Sequence, residues 1–239
     1  MKRTDSQNKF LSRFDAWLPA RVRLQLLALL AAQCFFYWGP QILTRNRFHH
    51  SMALPLDDLI PVLPWMIVIY FGCFLFWAVN YAIILRAEPE GSHRFFFAEL
   101  AGKFIAAVFF VALPATLTRP EITGSGVFPW MMRFLYKVDI PSALFPSVHC
   151  FVSWMCFLGL RDKPQISKAY KAFSAGMAVL VFFSALTTKQ HVVADVIAGF
   201  ALAELVWHGS GVIANRLRVS RSEKRKRPEG DINQNDRIL

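Results

Sequence analysis

The chain of 239 residues is 55% hydrophobic and only 18% charged. Its apolar residues are gathered in long blocks, whereas a soluble domain of this length would interleave them with charged residues, so an ordinary soluble globular protein is excluded. The formal net charge of +11 would suggest nucleic-acid binding in a soluble protein, but the placement of the basic residues along this chain indicates another explanation.

Six apolar runs predict an all-α, polytopic membrane protein, because about 20 apolar helical residues cross a hydrocarbon core of roughly 30 Å. In chain order, the predicted membrane-spanning helices are residues 22–43, 59–85, 95–117, 143–160, 172–188 and 191–214. The fourth is short enough to be partly re-entrant, and the fifth is near the lower limit for a spanning helix. Together they predict one six-helix membrane domain, residues 22–215, between an N-terminal tail (1–21) and a disordered C-terminal tail (216–239).

The basic residues are distributed unevenly between the segments that join these helices. Counting Arg23, at the start of the first span, with the N-terminal tail, twenty of the 27 Lys and Arg residues lie in the two tails and in the second and fourth connections. By the positive-inside rule, this asymmetry predicts that both termini are cytoplasmic, which requires an even number of spans. The basic stretch NRLRVSRSEKRKRPEG would then contact anionic lipid, although such a stretch also occurs in nucleic-acid binding. We expect an integral protein of a bacterial inner membrane that binds no nucleic acid.

The segment GVFPWMMRFLYKV, residues 126–138, lies between the third and fourth predicted spans. It is too short and too charged to span a bilayer. Its aromatic residues accompany Arg133 and Lys137, a composition that is typical of a short helix lying in the membrane interface. Such a helix could guide a lipid into a site or serve only as an aromatic belt, and the sequence leaves both interpretations open.

Two pairs of charged residues inside the spans have a structural interpretation. Glu99 and Lys103 are four residues apart in the third span, as are Glu204 and His208 in the sixth. Residues with this spacing are neighbours on a helix, and charged side chains in a bilayer require partners. Glu99 and Lys103 are therefore predicted to form a structural ion pair, and Glu204 and His208 a local pair.

Three other polar clusters occur at ends of spans that the predicted topology places on the outer face. They are Thr118-Arg119-Pro120, Phe145-Pro146-Ser147-Val148-His149, and Lys189-Gln190-His191 with Asp195. If the third to sixth helices pack together, these clusters can meet. Asp195 lies four residues after His191 on the predicted sixth helix, so the two side chains share a helix face. The carboxylate can then hold one imidazole nitrogen and leave the other free as a nucleophile.

The remaining polar residues of these clusters suit the binding of an anion. Pro146 and Ser147 predict a helix start, in which the proline fits the first turn and the serine caps it. The free N–H groups of that turn attract anions, and His149 projects from the same turn. Arg119 and Lys189 add positive charge, and an arginine suits bidentate contact with phosphate oxygens. One histidine that attacks, another that protonates the leaving oxygen, and cations on the phosphoryl oxygens together predict metal-free phosphoryl transfer.

These residues resemble the signatures of the type-2 phosphatidic acid phosphatase superfamily of membrane lipid phosphatases and phosphotransferases. The family signatures are Lys-x6-Arg-Pro, Pro-Ser-x-His and Ser-Arg-x5-His-x3-Asp. The second matches PSVH at residues 146–149, the third matches Ser184, His191 and Asp195, and the end of the first matches Arg119 and Pro120. The resemblance covers roughly residues 95–215.

The chain departs from the family pattern at two cations. Ala112 stands where the first signature has Lys, and Ala185 stands where the third has Arg. Lys189, two residues before His191, is placed to substitute for the missing arginine. The string TTKQHVVADVIAG therefore looks like a variant branch of the family with Lys-Gln-His in the third signature. A site with fewer cations would suit a phosphodiester or a monoanion better than a dianionic phosphomonoester.

The resemblance implies the role of each site residue. His191 would be the nucleophile that forms a phosphohistidine, Asp195 would orient it, and His149 would be the general acid. The phosphoryl oxygens would be bound by Arg119, Ser147 and Lys189.

These roles predict a metal-independent, cofactor-free lipid phosphate phosphatase that acts at the extracytoplasmic face. Its partners would be the lipid phosphate and the surrounding membrane lipids. A phosphotransferase of the same fold, which moves a phospho-headgroup to a lipid alcohol, is an alternative that no residue excludes. A non-catalytic lipid-binding membrane protein is a further alternative, because two cations of the family site are missing.

Overall fold

The structure, a computed structural model, describes residues 15–226 and the side chains of residues 15–88 and 91–216. The elements are, in chain order, α1 (Ala20–Thr44), β1 (His50–Ser51), α2 (Pro55–Asp58), a 3-10 turn (Pro64–Met66), α3 (Ile67–Arg86), α4 (Pro89–Ala112), β2 (Ala115–Thr116), α5 (Val127–Val138), α6 (Val148–Arg161), α7 (Lys168–Thr187) and α8 (Val193–Lys226). The regular secondary structure in this range is therefore almost entirely helical, as the apolar runs predict.

Five of these helices are long and apolar enough to cross a membrane: α1, α3 with its preceding 3-10 turn, α4, α7 and the part of α8 up to Arg216. They present large apolar side chains at the surface, among them Phe35 and Leu43 on α1 and Leu75 on α3. Apolar surface of this extent is characteristic of contact with lipid or with another protein. The length, the composition and the exposed surface together agree with an integral membrane protein.

Helix α6 has only 14 residues and lies at the centre of the bundle. It corresponds to about 21 Å of helix, less than a hydrocarbon core of roughly 30 Å. It packs against α3, α4, α7 and α8, and ten of its 14 residues are buried. At Gly102 of α4 an added Cβ would lie 2.1 Å from the Phe151 ring of α6, so the glycine permits this close packing. Helix α6 is thus covered mainly by protein.

The helix boundaries depart from the predicted spans where polar residues extend or shorten a helix. Helix α4 begins at Pro89, six residues before the predicted span, because proline is well suited to a first helical turn. Helix α6 begins at Val148 instead of residue 143, since Ser147 caps it. Helix α8 continues to Lys226, so the first part of the predicted disordered tail is helical, in keeping with the helix propensity of Lys and Arg. Residues 1–14 and 227–239 of the predicted tails lie outside the described residues.

A short strand pair, which the sequence analysis did not predict, joins the connection after α1 to the end of α4. Strands β1 and β2 pair in parallel, with His50 opposite Ala115 and Ser51 opposite Thr116. The backbone N–H of His50 also donates to the carbonyl of Pro114, at 2.8 Å. This pairing fixes the segment that leads from α4 to Arg119.

Both predicted pairs are confirmed. The ammonium of Lys103 lies 2.5 Å from the Glu99 carboxylate, which also accepts a hydrogen bond from the Tyr81 hydroxyl. On α8, His208 Nε2 is 3.2 Å from the Glu204 carboxylate.

Candidate active site

The three polar clusters of the sequence meet at one end of the bundle. The imidazole rings of His149 and His191 have centroids 5.6 Å apart. The backbone N–H of Ser147 donates to the carbonyl of Asp195, at 3.0 Å. The Arg119 guanidinium donates to the Gln190 side-chain oxygen, at 2.6 Å. Residues that are up to 71 positions apart in the chain therefore form one continuous site, which we call the histidine site.

His191 and Asp195 are in contact, although not along one face of a helix as predicted. His191 Nδ1 lies 3.3 Å from Asp195 Oδ2, and both side chains are buried. Helix α8 begins only at Val193, so His191 precedes it and Asp195 lies in its first turn. The same Asp195 oxygen accepts the N–H of Val192, at 3.1 Å. One carboxylate thus caps the helix and holds the imidazole, which leaves Nε2 of His191 available when Nδ1 carries the proton.

The turn between α7 and α8 explains why His191 lies outside the helix. The N–H groups of Gln190 and His191 both donate to the carbonyl of Ala185, at 3.0 and 3.1 Å. Lys189 adopts a φ of 50°, a left-handed conformation that is uncommon for residues other than glycine. The chain therefore wraps around the end of α7, and the histidine is held by backbone hydrogen bonds as well as by Asp195.

Ser147 starts α6 as its N-cap, and its Oγ accepts the N–H of Cys150, at 3.3 Å. Pro146 precedes this cap, so it does not occupy the first helical turn as predicted. His149 lies in that first turn, where backbone N–H groups lack intrahelical acceptors. Such N–H groups attract an anion near the imidazole.

The close approach of α8 to the start of α6 depends on Gly199. An added Cβ would lie 2.4 Å from the carbonyl oxygen of Ser147 and 3.2 Å from Cys150 Cβ. The first of these is a backbone atom, which cannot rotate away. This glycine therefore sets the spacing between the helix that carries His149 and the helix that follows His191.

Replacing Gly199 with alanine is expected to push these two helices apart, to lower lipid-phosphate turnover, and to reduce the free energy of unfolding by about 1–3 kcal/mol, as overpacking does. Phosphate release and the thermal unfolding midpoint of the purified protein measure both effects. Gly176→Ala on α7 is the matched control, because an added Cβ there meets nothing within 4 Å. If Gly199→Ala leaves both the turnover and the unfolding midpoint unchanged, this contact does not constrain the site.

Three aromatic side chains of α3 surround His149. The Tyr70 ring stacks on the imidazole with centroids 4.5 Å apart, and the rings of Trp77 and Phe74 lie at 5.5 and 6.1 Å. The Tyr70 hydroxyl is 3.5 Å from His149 Nδ1, at the upper limit for a hydrogen bond, so stacking is the main contact. The spacing of residues 70, 74 and 77 indicates one helix face, but the same pattern is typical of an ordinary core, and the sequence analysis did not identify it.

Arg119 is 8% exposed and already has several partners. Its guanidinium lies 3.5 Å from the Asp139 carboxylate, donates to the Asp139 carbonyl, and stands 4.9 Å from the centroid of the Tyr136 ring. Together with Gln190, these groups fix the guanidinium beside the turn that carries His191. Asp139 and Gln190 were not among the predicted site residues, and Asp139 partly offsets the charge of the arginine.

Lys189 is held by the connection between α1 and α3. Its ammonium donates to the carbonyl of Asp57, at 2.7 Å. The Asp57 carboxylate in turn accepts the N–H groups of Leu54 and Val193, at 2.7 and 2.8 Å. This acceptor is a neutral carbonyl, and no ion pair of Lys189 occurs among the described side chains, so no carboxylate pairs with the ammonium at the start of α8.

The two alanines at the positions where the family signatures have a cation, Ala112 and Ala185, have different surroundings. Ala112 is the exposed last residue of α4. Ala185 is fully buried in an apolar cluster that contains Ile67 and Tyr70. A charged arginine at position 185 would have to enter this apolar cluster, so the observed packing suits the alanine.

The described residues include no group of three or more His, Cys, Asp or Glu side chains that could hold a metal ion. A metal-free reaction remains a prediction. The arrangement provides an imidazole nitrogen oriented by a carboxylate, a second imidazole beside it, and two cations near the same turn.

Comparison of the chain with known protein families and with curated proteins finds no match.

Proposed function

We propose that the protein is a metal-independent lipid phosphate phosphatase of the type-2 phosphatidic acid phosphatase superfamily, with His191 as its nucleophile. The observation that carries the proposal is the His191–Asp195 contact of 3.3 Å beside His149, in a bundle with an extensive apolar surface. A carboxylate that holds Nδ1 directs Nε2 toward a substrate and stabilises the charge that develops on the ring.

In the proposed reaction, Nε2 of His191 attacks the phosphorus atom and forms an N–P bond, while the bond from phosphorus to the lipid oxygen breaks. His149 gives its proton to that oxygen, so the lipid alcohol leaves in neutral form. A water molecule then loses a proton to His149 and attacks the phosphohistidine. The N–P bond breaks, inorganic phosphate leaves, and both histidines return to their initial protonation states.

The phosphoryl oxygens would be stabilised by Arg119, Lys189 and the first turn of α6. The guanidinium would turn part of its fork from Gln190 and Asp139 toward the substrate, which it can do because arginine offers five N–H donors. Lys189 would contribute its uncompensated charge. Ser147 would act through the helix start that it caps and through its Oγ.

The proposed membrane arrangement has six spans, with α6 as the sixth spanning element beside the five long helices. Helix α5 would lie in the outer interface. Its inner face buries Met132 and Leu135, while Val127, Trp130 and Phe134 are exposed, as an interfacial helix requires. Both termini would be cytoplasmic and the histidine site would face the outside of a bacterial inner membrane.

The proposal is tested by incubating the purified full chain with a panel of lipid phosphates, in detergent and with a metal chelator present. Phosphatidate, phosphatidylglycerophosphate and a polyprenyl pyrophosphate cover monoester and pyrophosphate substrates. We expect inorganic phosphate to be released from at least one of them at a rate that the chelator does not lower. Absence of release from every substrate would contradict the phosphatase proposal.

The same assay with labelled donor lipid and an added lipid alcohol separates hydrolysis from transfer. Both reactions share the phosphohistidine and differ in whether water or an alcohol attacks it. Label recovered only as free phosphate assigns the phosphatase, whereas label on the added alcohol assigns the phosphotransferase. Saturable lipid binding without any label transfer would assign the non-catalytic alternative.

A further inference from the structure

Asp139 is an acidic residue of the histidine site that has no part in the proposed reaction. It is the C-cap of α5, and its N–H donates to the carbonyl of Leu135, at 2.9 Å. A carboxylate is unfavourable at this end of a helix, because the partial charge of the helix dipole there is also negative. Arg119 compensates it, as the only ion-pair partner of Asp139 among the described side chains.

The Arg119 guanidinium is held closely by two neutral groups and loosely by this carboxylate. It donates to the backbone carbonyl of Asp139, at 2.5 Å, and to the side-chain oxygen of Gln190, at 2.6 Å. The Asp139 carboxylate lies 3.5 Å from Nη2, whereas a charge-assisted hydrogen bond measures about 2.7–2.9 Å. A ligand can therefore replace the carboxylate while the neutral acceptors keep the arginine beside the site.

A third group holds Asp139 independently of Arg119. The Tyr37 hydroxyl of α1 donates to Oδ1 of Asp139, at 2.9 Å, while the guanidinium faces Oδ2. Because the two carboxylate oxygens have different partners, Asp139 can stay in place when Arg119 turns toward a phosphate. The Asp139 side chain is 23% exposed, so water can solvate Oδ2 during that exchange.

We propose that Asp139 competes with the phosphate group for Arg119 and thereby sets how tightly the histidine site holds phosphate. The inference rests on the proposed function, since it concerns the regulation of the same site. A bound phosphate takes over part of the guanidinium, and the nearby carboxylate repels its negative charge. When inorganic phosphate is the product, the return of the carboxylate to Arg119 favours its release. Asp139 is thus a positioning residue that acts through Arg119.

A purely structural role of Asp139 makes the opposite prediction. If the carboxylate served only to hold Arg119, its loss would loosen the guanidinium and weaken the binding of phosphate. If it competes with phosphate, its loss strengthens that binding. The direction of the change in affinity therefore distinguishes the two roles.

The test compares the wild-type full chain with Asp139→Asn and with Asp162→Asn. Asparagine at position 139 keeps the backbone carbonyl for Arg119 and an oxygen for the Tyr37 hydroxyl, and it removes only the charge. Asp162→Asn is the matched control, because Asp162 is the exposed C-cap of α6, thirteen residues or about 20 Å beyond His149. Equilibrium dialysis with radiolabelled inorganic phosphate gives Kd, and steady-state release of phosphate from the lipid gives KM and kcat.

We expect Asp139→Asn to lower both Kd for inorganic phosphate and KM for the lipid phosphate about fivefold, which is the effect of one partly exposed ion pair. Asp162→Asn should match the wild type in both quantities. An unchanged or raised Kd in Asp139→Asn, beside a wild type that binds phosphate and releases it from lipid, overturns this inference and leaves the proposed function intact. A wild type that neither binds phosphate nor releases it contradicts the proposed function, and this inference with it.

Tyr37→Phe is a second test, with an expected effect in the opposite direction. Without the hydroxyl, the Asp139 carboxylate can turn toward Arg119 and pair with it more closely, so Kd for phosphate should rise several-fold. In the Asp139→Asn background the same substitution should change Kd by less than twofold, because no charge is left to compete. An equal rise of Kd in both backgrounds would show that the hydroxyl does not act through the carboxylate, which contradicts the proposed competition.

Discussion

Replacing His191 with alanine is expected to lower lipid-phosphate turnover by about 10⁵-fold, because the proposed nucleophile is lost and only binding and charge stabilisation remain. A radiolabelled donor lipid should place acid-labile label on the wild-type protein during turnover and none on the variant. Phosphate release and trapping of the labelled protein by rapid denaturation measure the two effects.

His208→Ala is the matched control, because this histidine lies on the exposed surface of α8, the helix that follows His191, and is paired with Glu204. It should retain wild-type turnover. His149→Ala provides a complementary result, since it removes the proton donor but not the nucleophile. It should lose turnover of lipid substrates yet still accept label from an aryl phosphate, whose leaving group needs no proton. Label on His191→Ala at the wild-type level would show that another residue is the nucleophile.

Replacing Arg119 with lysine is expected to lower kcat/KM for the lipid phosphate about 100-fold, even though the charge is unchanged. Lysine cannot contact the Gln190 side chain and the Asp139 carbonyl together with a phosphoryl oxygen, because it lacks the planar fork of arginine. A lost donor to the transferring group costs about this much in enzymes of other classes. Steady-state kinetics over a range of lipid concentrations measures the loss.

Arg133→Lys is the control for this substitution. Arg133 lies at the same end of the bundle, on the exposed side of α5. Among the residues that the structure describes, it donates only to the backbone carbonyls of Ile122 and Gly124. Its substitution should change kcat/KM by less than twofold. If Arg119→Lys also retains kcat/KM within twofold, the arginine has only a structural role as the partner of Asp139.

Most of the helical architecture could be predicted from the apolar runs, because helix length and hydrophobicity are local properties of the chain. Helix α1 departs from its predicted limits by two residues at most. The polar start of α4 could not be predicted in this way, since a helix that continues beyond an apolar run leaves no hydropathy signal. The strand pair of His50 and Ala115 joins residues that have no strand pattern of their own.

The histidine site was predictable where the chemistry depends on spacing within one segment. His191 and Asp195 are close because four residues separate them, even though the turn around Ala185 brings them together by a route that differs from a helix face. The partners of the two cations were not predictable. Asp57 lies 132 residues before Lys189, and only the fold determines that its carbonyl accepts the ammonium. Whether the cations bind phosphate stays a prediction.

The central position of the short helix α6 bears on how the protein is made. A helix of 14 residues is a weak signal for insertion into a membrane. Most of its surface packs against α3, α4, α7 and α8. During synthesis it can reach its final environment only after the last of these helices has emerged. His149 then meets His191, which stands just before that last helix. The two imidazoles can therefore come together only after α8 has been synthesised, and a product truncated before α8 would expose an unfinished core to quality-control proteases.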